Sequence, residues 1–168
     1  GDRVVAEAVP VIERQVAQLT RLVDDLLDAT RMSLGRIALE RAPCSLAAAV
    51  RVALDAVREL VAARGHGLSV DLPDPDVVLL ADAARLAQVV ANLLNNAAKF
   101  TPEGGRIGLI ARVEPDGATL RLAVSDDGIG LAPGRSARIF GMFEQGERPA
   151  DLADGGLGIG VALVHELV

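Results

Sequence analysis

Gln88, Asn92, Asn96 and Lys99 recur at steps of four, four and three, which sets them along one face of a single helix. A solvated helix face usually carries charges, whereas this one carries carboxamides, whose dipoles are fixed and whose oxygens ligate hard cations. Asn96 and Lys99 together suit a Mg²⁺–phosphate ligand, with the amide oxygen toward the metal and the ammonium toward a phosphate. The same spacing fits a surface helix with incidental asparagines. Further on, Asp126-Asp-Gly-Ile-Gly130 follows an apolar, alternating stretch. A carboxylate at a strand end beside two glycines can reach the edge of a ligand while the backbone bends close to it. An ordinary Asp-Gly turn has the same letters. Gly155-Gly-Leu-Gly-Ile-Gly160 opens a helix, and glycines there expose amide N–H groups where a phosphate can sit. It is not a dinucleotide fingerprint, because no strand leads into it and no acidic residue follows at the right distance. It also lacks the Gly-Lys-Ser/Thr of a P-loop.

The elements that must position these groups are legible in the periodicity. Leu86, Val89, Val90, Leu93, Leu94 and Ala97 form an apolar stripe beside the polar one; Asp82 is the expected N-cap, and Pro102 with Gly104-Gly105 ends the helix. Upstream, Arg36–Arg41 alternates as a short strand, and Ser45 is a plausible N-cap for a helix over Leu46–Ala63. Gly65 and Gly67 then break the chain, leaving His66 in a turn with a surface or structural role. Leu68–Leu72 alternates, Pro73-Asp-Pro75 turns, and Val77–Ala81 reads as a buried strand. Arg106–Val113 and Ala118–Ser125 make a hairpin through Glu114-Pro-Asp-Gly117. The expected class is α+β, a two-layer sandwich with a mixed sheet and helices on one face. At the amino end, Val9, Ile12, Val16, Leu19, Val23 and Leu26 form a heptad seam widened by Leu22 and Leu27, with Gly35 as its stop. Such a helix belongs in a bundle and needs a partner helix or a second subunit.

Composition narrows the function. The 168 residues are 51% hydrophobic and 24% charged, with 2% aromatics and no Trp or Tyr, so the core is aliphatic. A net charge of −6 without a basic cluster makes nucleic acid an unsuitable partner. Cys44 is the single cysteine, which excludes an internal disulfide and suits a reducing, cytoplasmic setting. No apolar run nears the roughly 20 residues of a membrane span. Both ends read as cut from a longer protein, the carboxyl end inside a helix.

In their order these motifs resemble the ATP-binding catalytic domain of sensor histidine kinases, within the GHKL group of ATPases and kinases with a Bergerat-type fold. Asn92-Leu-Leu-Asn-Asn-Ala-Ala-Lys-Phe-Thr101 is similar to the N box, and Asp126-Asp-Gly-Ile-Gly130 to the first glycine box. Ile139-Phe-Gly-Met-Phe143 is similar to the F box, and Gly156-Leu-Gly-Ile-Gly160 to the second glycine box. Glu13–Asp28 resembles the second helix of the dimerisation and phosphotransfer hairpin. The resemblance implies a division into residues 1–34, half of that hairpin, and residues 35–168, the ATP-binding domain. It implies ATP and Mg²⁺ as cofactors. Asp126 is then the acceptor for the adenine amino group, Asn96 the Mg²⁺ ligand with Asn92 in support, Lys99 a phosphate contact, and Phe100 a flank of the nucleotide. Gly128 and Gly130 let the backbone approach base and ribose; Gly156, Leu157, Gly158 and Gly160 shape the phosphate end. Glu144–Asp154 is then a lid anchored by Phe140 and Phe143, with Arg148 solvated or reaching a phosphate. The implied partners are a histidine-bearing hairpin of the same or a partner subunit, a response regulator, and a second copy in a homodimeric parent open to membrane anchoring.

Two departures limit the reading. The family's phosphoacceptor histidine has no counterpart here, since neither His66 nor His165 lies in the family's phosphorylation context. Water-cleaving relatives carry a glutamate base one turn before the metal-binding asparagine, where this chain has Asn92, so fast ATP hydrolysis is not expected. An anti-sigma-factor-like serine kinase shares the boxes but not the heptad helix. A degenerate module that binds a partner without ATP is the other alternative, opposed by the intact Asn96, Lys99, Asp126 and glycines.

Overall fold

The computed structural model describes residues 38–131 and 158–168, together with eight positions between 9 and 30. All eight are helical and define α1. Five members of the expected seam, Val9, Ile12, Val16, Leu19 and Val23, are exposed along α1, as is Leu27; Leu26 lies outside the described residues. The remaining elements are β1 (Ala42–Ser45), α2 (Leu46–Ala63), β2 (Gly67–Asp71), β3 (Val78–Ala81), α3 (Ala83–Phe100), β4 (Arg106–Val113), β5 (Leu120–Asp126) and α4 (Gly160–Leu167).

Both long helices begin where side chains satisfy their first amides. The Ser45 hydroxyl accepts from Ala48 N at 2.9 Å and donates to Asp76 Oδ2 at 2.6 Å, while Asp76 Oδ1 accepts from Ala47 N at 3.0 Å. Asp82 Oδ1 accepts from Ala84 N and Arg85 N, both at 3.1 Å. From these starts α2 buries Leu46, Ala49, Val50, Ala53, Val57 and Val61, and α3 buries Ala87, Val89, Val90, Leu94, Ala97 and Ala98. Both faces pack on the inward residues of β4, Ile107, Leu109 and Ala111. The alternate β4 residues Ile110 and Arg112 are exposed, so the helices cover one face of the sheet.

That sheet has the order β2-β4-β5, with β2 parallel and β5 antiparallel to β4. The expected mixed sheet with helices on one face is therefore present, but it holds three strands among the described residues. β1 and β3 pair separately as an antiparallel ribbon. Three features of the strands differ most from the sequence reading. The first strand is Ala42–Ser45, whereas the described part of Arg36–Arg41, residues 38–41, is irregular. Pro43 within β1 is tolerated because an edge strand can spare a donor. β3 is not a buried strand: Val78 and Leu80 are 68% and 72% exposed, because β3 joins a two-stranded ribbon and turns one face outward. The last strand starts at Leu120, two residues late. Asp116 Oδ1 takes the amides of Ala118 and Thr119 at 3.0 and 2.9 Å, extending the turn at the strand's expense. No helix among the described residues is long and apolar enough to cross a membrane.

The capping carboxylates tie stability to pH. The Arg85 amide holds the Asp82 carboxyl below the usual carboxylate range, and the Ser45 hydroxyl does the same for Asp76. A depressed folded value means the stabilisation is complete above the unfolded value of about 4 and disappears as pH falls through the lower folded value. The thermal midpoint of the chain, followed by circular dichroism, should therefore fall as pH drops below about 4. Asp82→Ala should start lower and show a shallower acid limb; identical acid limbs in the two proteins would refute the assignment.

Candidate nucleotide site

α3 supplies the long axis of the site. Asn92, Asn96 and Lys99 are half-buried on it, and Phe100 at its end is 39% exposed. Different segments meet its middle and its carboxyl end. At mid-helix, α4 packs against α3, and a Cβ added to Gly160 would lie 3.4 Å from Asn92 Cγ and Oδ1. The N-terminal turn of α4 thus abuts the Asn92 carboxamide. Gly158, just before it, has φ +75°, which favours glycine, and Ile159 is buried as the anchor. At the carboxyl end, the loop after β5 rests on the last residue of α3. Ile129 N donates to Phe100 O at 3.2 Å, and a Cβ on Gly128 would stand 2.6 Å from that carbonyl oxygen and 2.6 Å from Asp126 Oδ1. Gly128 is therefore required by its contact with Phe100 and Asp126. Gly130 has φ +65°, and none of the described residues lies within 4 Å of a Cβ placed on it.

Asn92 and Phe100 are separated by about 12 Å of helix. That matches the reach from a purine ring to its phosphate chain. The structure therefore brings the α4 N-terminus to the middle and the Asp126 loop to the carboxyl end of the same carboxamide-bearing helix.

The two adjacent aspartates have different tasks. Asp127 accepts from Arg106 N at 2.7 Å and from Arg106 Nε at 3.2 Å, and the Arg106 amide holds its carboxyl below the usual range. Asp127 thus fastens β5 to the start of β4. Asp126 is exposed; its Oδ1 accepts from Gly128 N at 3.0 Å, which orients the carboxyl and leaves Oδ2 for a ligand.

The donors present fit a phosphate-bearing ligand. The Asn92 carboxamide nitrogen is buried without a hydrogen-bond partner among the described residues, beside the α4 amides, where an anionic oxygen would satisfy it. Among the described residues no cluster of three or more His, Cys, Asp or Glu could hold a metal ion. A carboxamide such as Asn96 suits Mg²⁺ that arrives with phosphates and keeps its waters, not a cation held in a protein cage. Gly156, Leu157, the Phe140 and Phe143 anchors, Arg148 and the Glu144–Asp154 segment lie outside the described residues.

Sequence reasoning missed the groups that hold the base end of α3. His66 is buried, 8% exposed, with Nε2 3.0 Å from Ala98 O, and Arg64 Nη1 donates to Lys99 O at 3.3 Å. The only sequence signal was a polar residue between two glycines. His165 is exposed on α4.

Comparison with known proteins agrees with this geometry. BaeS, a signal transduction histidine-protein kinase of Escherichia coli, is 33% identical over 162 residues, covering 96% of this chain and 34% of that protein. The circadian input-output histidine kinase CikA of Synechococcus elongatus is 34% identical over 164 residues, covering 96% of this chain and 22% of that protein. The chain thus spans about a third or less of the length of these relatives. The crystal structure of full-length ShkA in complex with AMPPNP superposes with a TM-score of 0.77 at 32% identity, covering 96% of this chain and 33% of ShkA. The family model described as histidine kinase-, DNA gyrase B-, and HSP90-like ATPase matches residues 81–168. That match takes in the carboxamide helix, β4, β5, the Asp126 loop and α4, and the chain belongs to this ATPase family.

Proposed function

We propose that the chain is the ATP-binding catalytic part of a two-component sensor histidine kinase. It binds Mg-ATP and presents the γ-phosphate to a histidine other than His66 or His165. The observation that carries this reading is the arrangement on α3 of the α4 N-terminus at its middle and the Asp126 loop at its carboxyl end. Asp126 accepts the adenine amino group, Phe100 flanks the nucleotide, and Gly128 and Gly130 let the backbone come close to base and ribose. Asn96 offers its amide oxygen to the metal, Asn92 supports it, and Lys99 contacts a phosphate. Gly156, Leu157, Gly158 and Gly160 shape the phosphate end.

In the reaction a histidine nitrogen attacks the γ-phosphorus. A P–N bond forms as the bond to the bridging oxygen breaks, and ADP leaves. Mg²⁺, when bound, neutralises charge on the phosphates. The chain's own contribution is positioning: α3 holds the nucleotide along its length, and the α4 amides face the phosphate oxygens. Asn92 is no base at neutral pH, so water is not activated there.

The phosphoacceptor sits on a hairpin of the same or a partner subunit, and residues 1–34 are the second helix of that hairpin, ahead of a nucleotide domain at 35–168. The exposed apolar seam of α1 supports such pairing. The parent is a homodimer that passes its phosphoryl group to a response regulator, and this part of it is cytoplasmic.

Calorimetric titration with ADP and a non-hydrolysable ATP analogue, with and without Mg²⁺, tests the reading. ADP should saturate one site, GTP should not compete, and Asp126→Asn should weaken ADP roughly ten-fold or more, the scale of one charge-assisted hydrogen bond. Equal binding of GTP, or no saturable nucleotide binding, would remove the proposal and favour a partner-binding module.

A further inference from the structure

A helix ends with four carbonyls that its own amides do not reach, and each needs a donor when buried. In α3 those carbonyls are Ala97, Ala98, Lys99 and Phe100, and each has one from a different source. Thr101 N donates to Ala97 O at 3.0 Å, His66 Nε2 lies 3.0 Å from Ala98 O, Arg64 Nη1 donates to Lys99 O at 3.3 Å, and Ile129 N donates to Phe100 O at 3.2 Å. A carbonyl only accepts, so His66 donates through Nε2–H; its Nδ1 is buried without a partner among the described residues. Two further backbone bonds tie the same turn down: Gly104 N donates to Arg64 O, and Gly67 N to Gly105 O, both at 2.9 Å.

Three segments therefore converge on one helix end. The Arg64–His66 turn after α2 grips two carbonyls, and the Gly128–Ile129 loop hangs on the next one. Where Phe100 O sits sets where Ile129 N sits, and with it Asp126, whose Oδ1 is bonded to Gly128 N at 3.0 Å. We propose that Arg64 and His66 are positioning residues for adenine binding: they fix the last turn of α3, and α3 fixes the loop that carries Asp126. The proposal rests on the reading of that loop as the adenine pocket. Neither residue touches the nucleotide. The guanidinium of Arg64 is also favourably placed at the negative end of the helix dipole.

The test is calorimetric titration of the chain with ADP and with adenosine, which lacks phosphates, at a temperature well below each variant's melting point. His66→Leu keeps an apolar side chain of similar bulk and removes the donor. It should raise the Kd of both ligands by the same factor, about five- to ten-fold, the scale of one buried acceptor left unmet, with stoichiometry unchanged. His66→Gln, whose amide N–H can reach Ala98 O, should restore binding to within about two-fold. Arg64→Met should weaken both ligands in the same direction, and as a half-buried position it serves if His66→Leu does not fold. A merely structural role would lower the melting point and the competent fraction but leave Kd in place, and that result overturns the proposal. So would a loss confined to ADP, which points to the phosphate end, or a His66→Gln protein as weak as His66→Leu. If the unaltered chain binds neither ligand, the adenine reading itself fails and takes this proposal with it; unaltered binding with unchanged variants defeats the positioning role alone.

Discussion

Asn96→Ala is expected to lower histidine phosphorylation by the full-length protein at least about 100-fold, the scale seen when one preorganised polar group facing a developing charge is removed. ADP binding without Mg²⁺ should change by less than about three-fold, because the role proposed for Asn96 is that of a metal ligand and not a base contact. The divergence follows from the chemistry of α3. Its polar face offers neutral carboxamides, and the described residues hold no carboxylate cluster beside them. A site of that kind binds Mg²⁺ only together with phosphates, so metal alone should give no calorimetric signal with the unaltered chain. Radiolabelled phosphotransfer beside ADP titration separates the two effects. Retention of more than a fifth of the activity, or equal loss of metal-free ADP binding, would show that Asn96 is not the metal ligand.

Gly128→Ala should weaken ADP about ten-fold or more and destabilise the domain by about 1–3 kcal/mol, the usual cost of forcing a methyl into a packed place. The added Cβ would stand 2.6 Å from Phe100 O and 2.6 Å from Asp126 Oδ1, and neither can give way cheaply. One is backbone at a helix end; the other is the carboxyl proposed to accept the base, already bonded to Gly128 N. Gly130→Ala provides the contrast. Its φ of +65° penalises a side chain, but none of the described residues lies within 4 Å of the added Cβ, so it should cost about 1 kcal/mol of stability. Urea unfolding and ADP titration of both variants decide the matter. Equal effects at the two positions would mean that the contact with Phe100 does not set the loop.

What the sequence disclosed depended on whether the responsible group was a side chain. The ranges of α2 and α3 were legible because Ser45 and Asp82 are capping residues and because apolar residues recur at helical spacing. β4 was legible for its alternation. β1 was misplaced because alternation at Arg36–Arg41 carries no information about pairing, whereas Ala42–Ser45 becomes a strand only by pairing with β3. The exposure of Val78 and Leu80 was hidden for the same reason: an apolar run does not say whether a second layer covers it. For the site, the carboxamide row and the glycine loops were visible as residue types. The clamp on the end of α3 was not, since Arg64 and His66 bind carbonyls, which every residue possesses and no letter distinguishes.

The parallel pairing of β2 with β4 has a consequence for how the domain assembles. The hairpin of β4 and β5 closes locally through a short turn, but β2 meets β4 by joining residue 67 to residue 106. The chain between those positions is β3 and the whole of α3. The carboxamide helix is thus itself the loop whose closure entropy the sheet must overcome. Completing the sheet and seating that helix are therefore coupled, and a chain that loses the pairing of β2 with β4 loses one of the constraints that hold the carboxamide helix over the sheet.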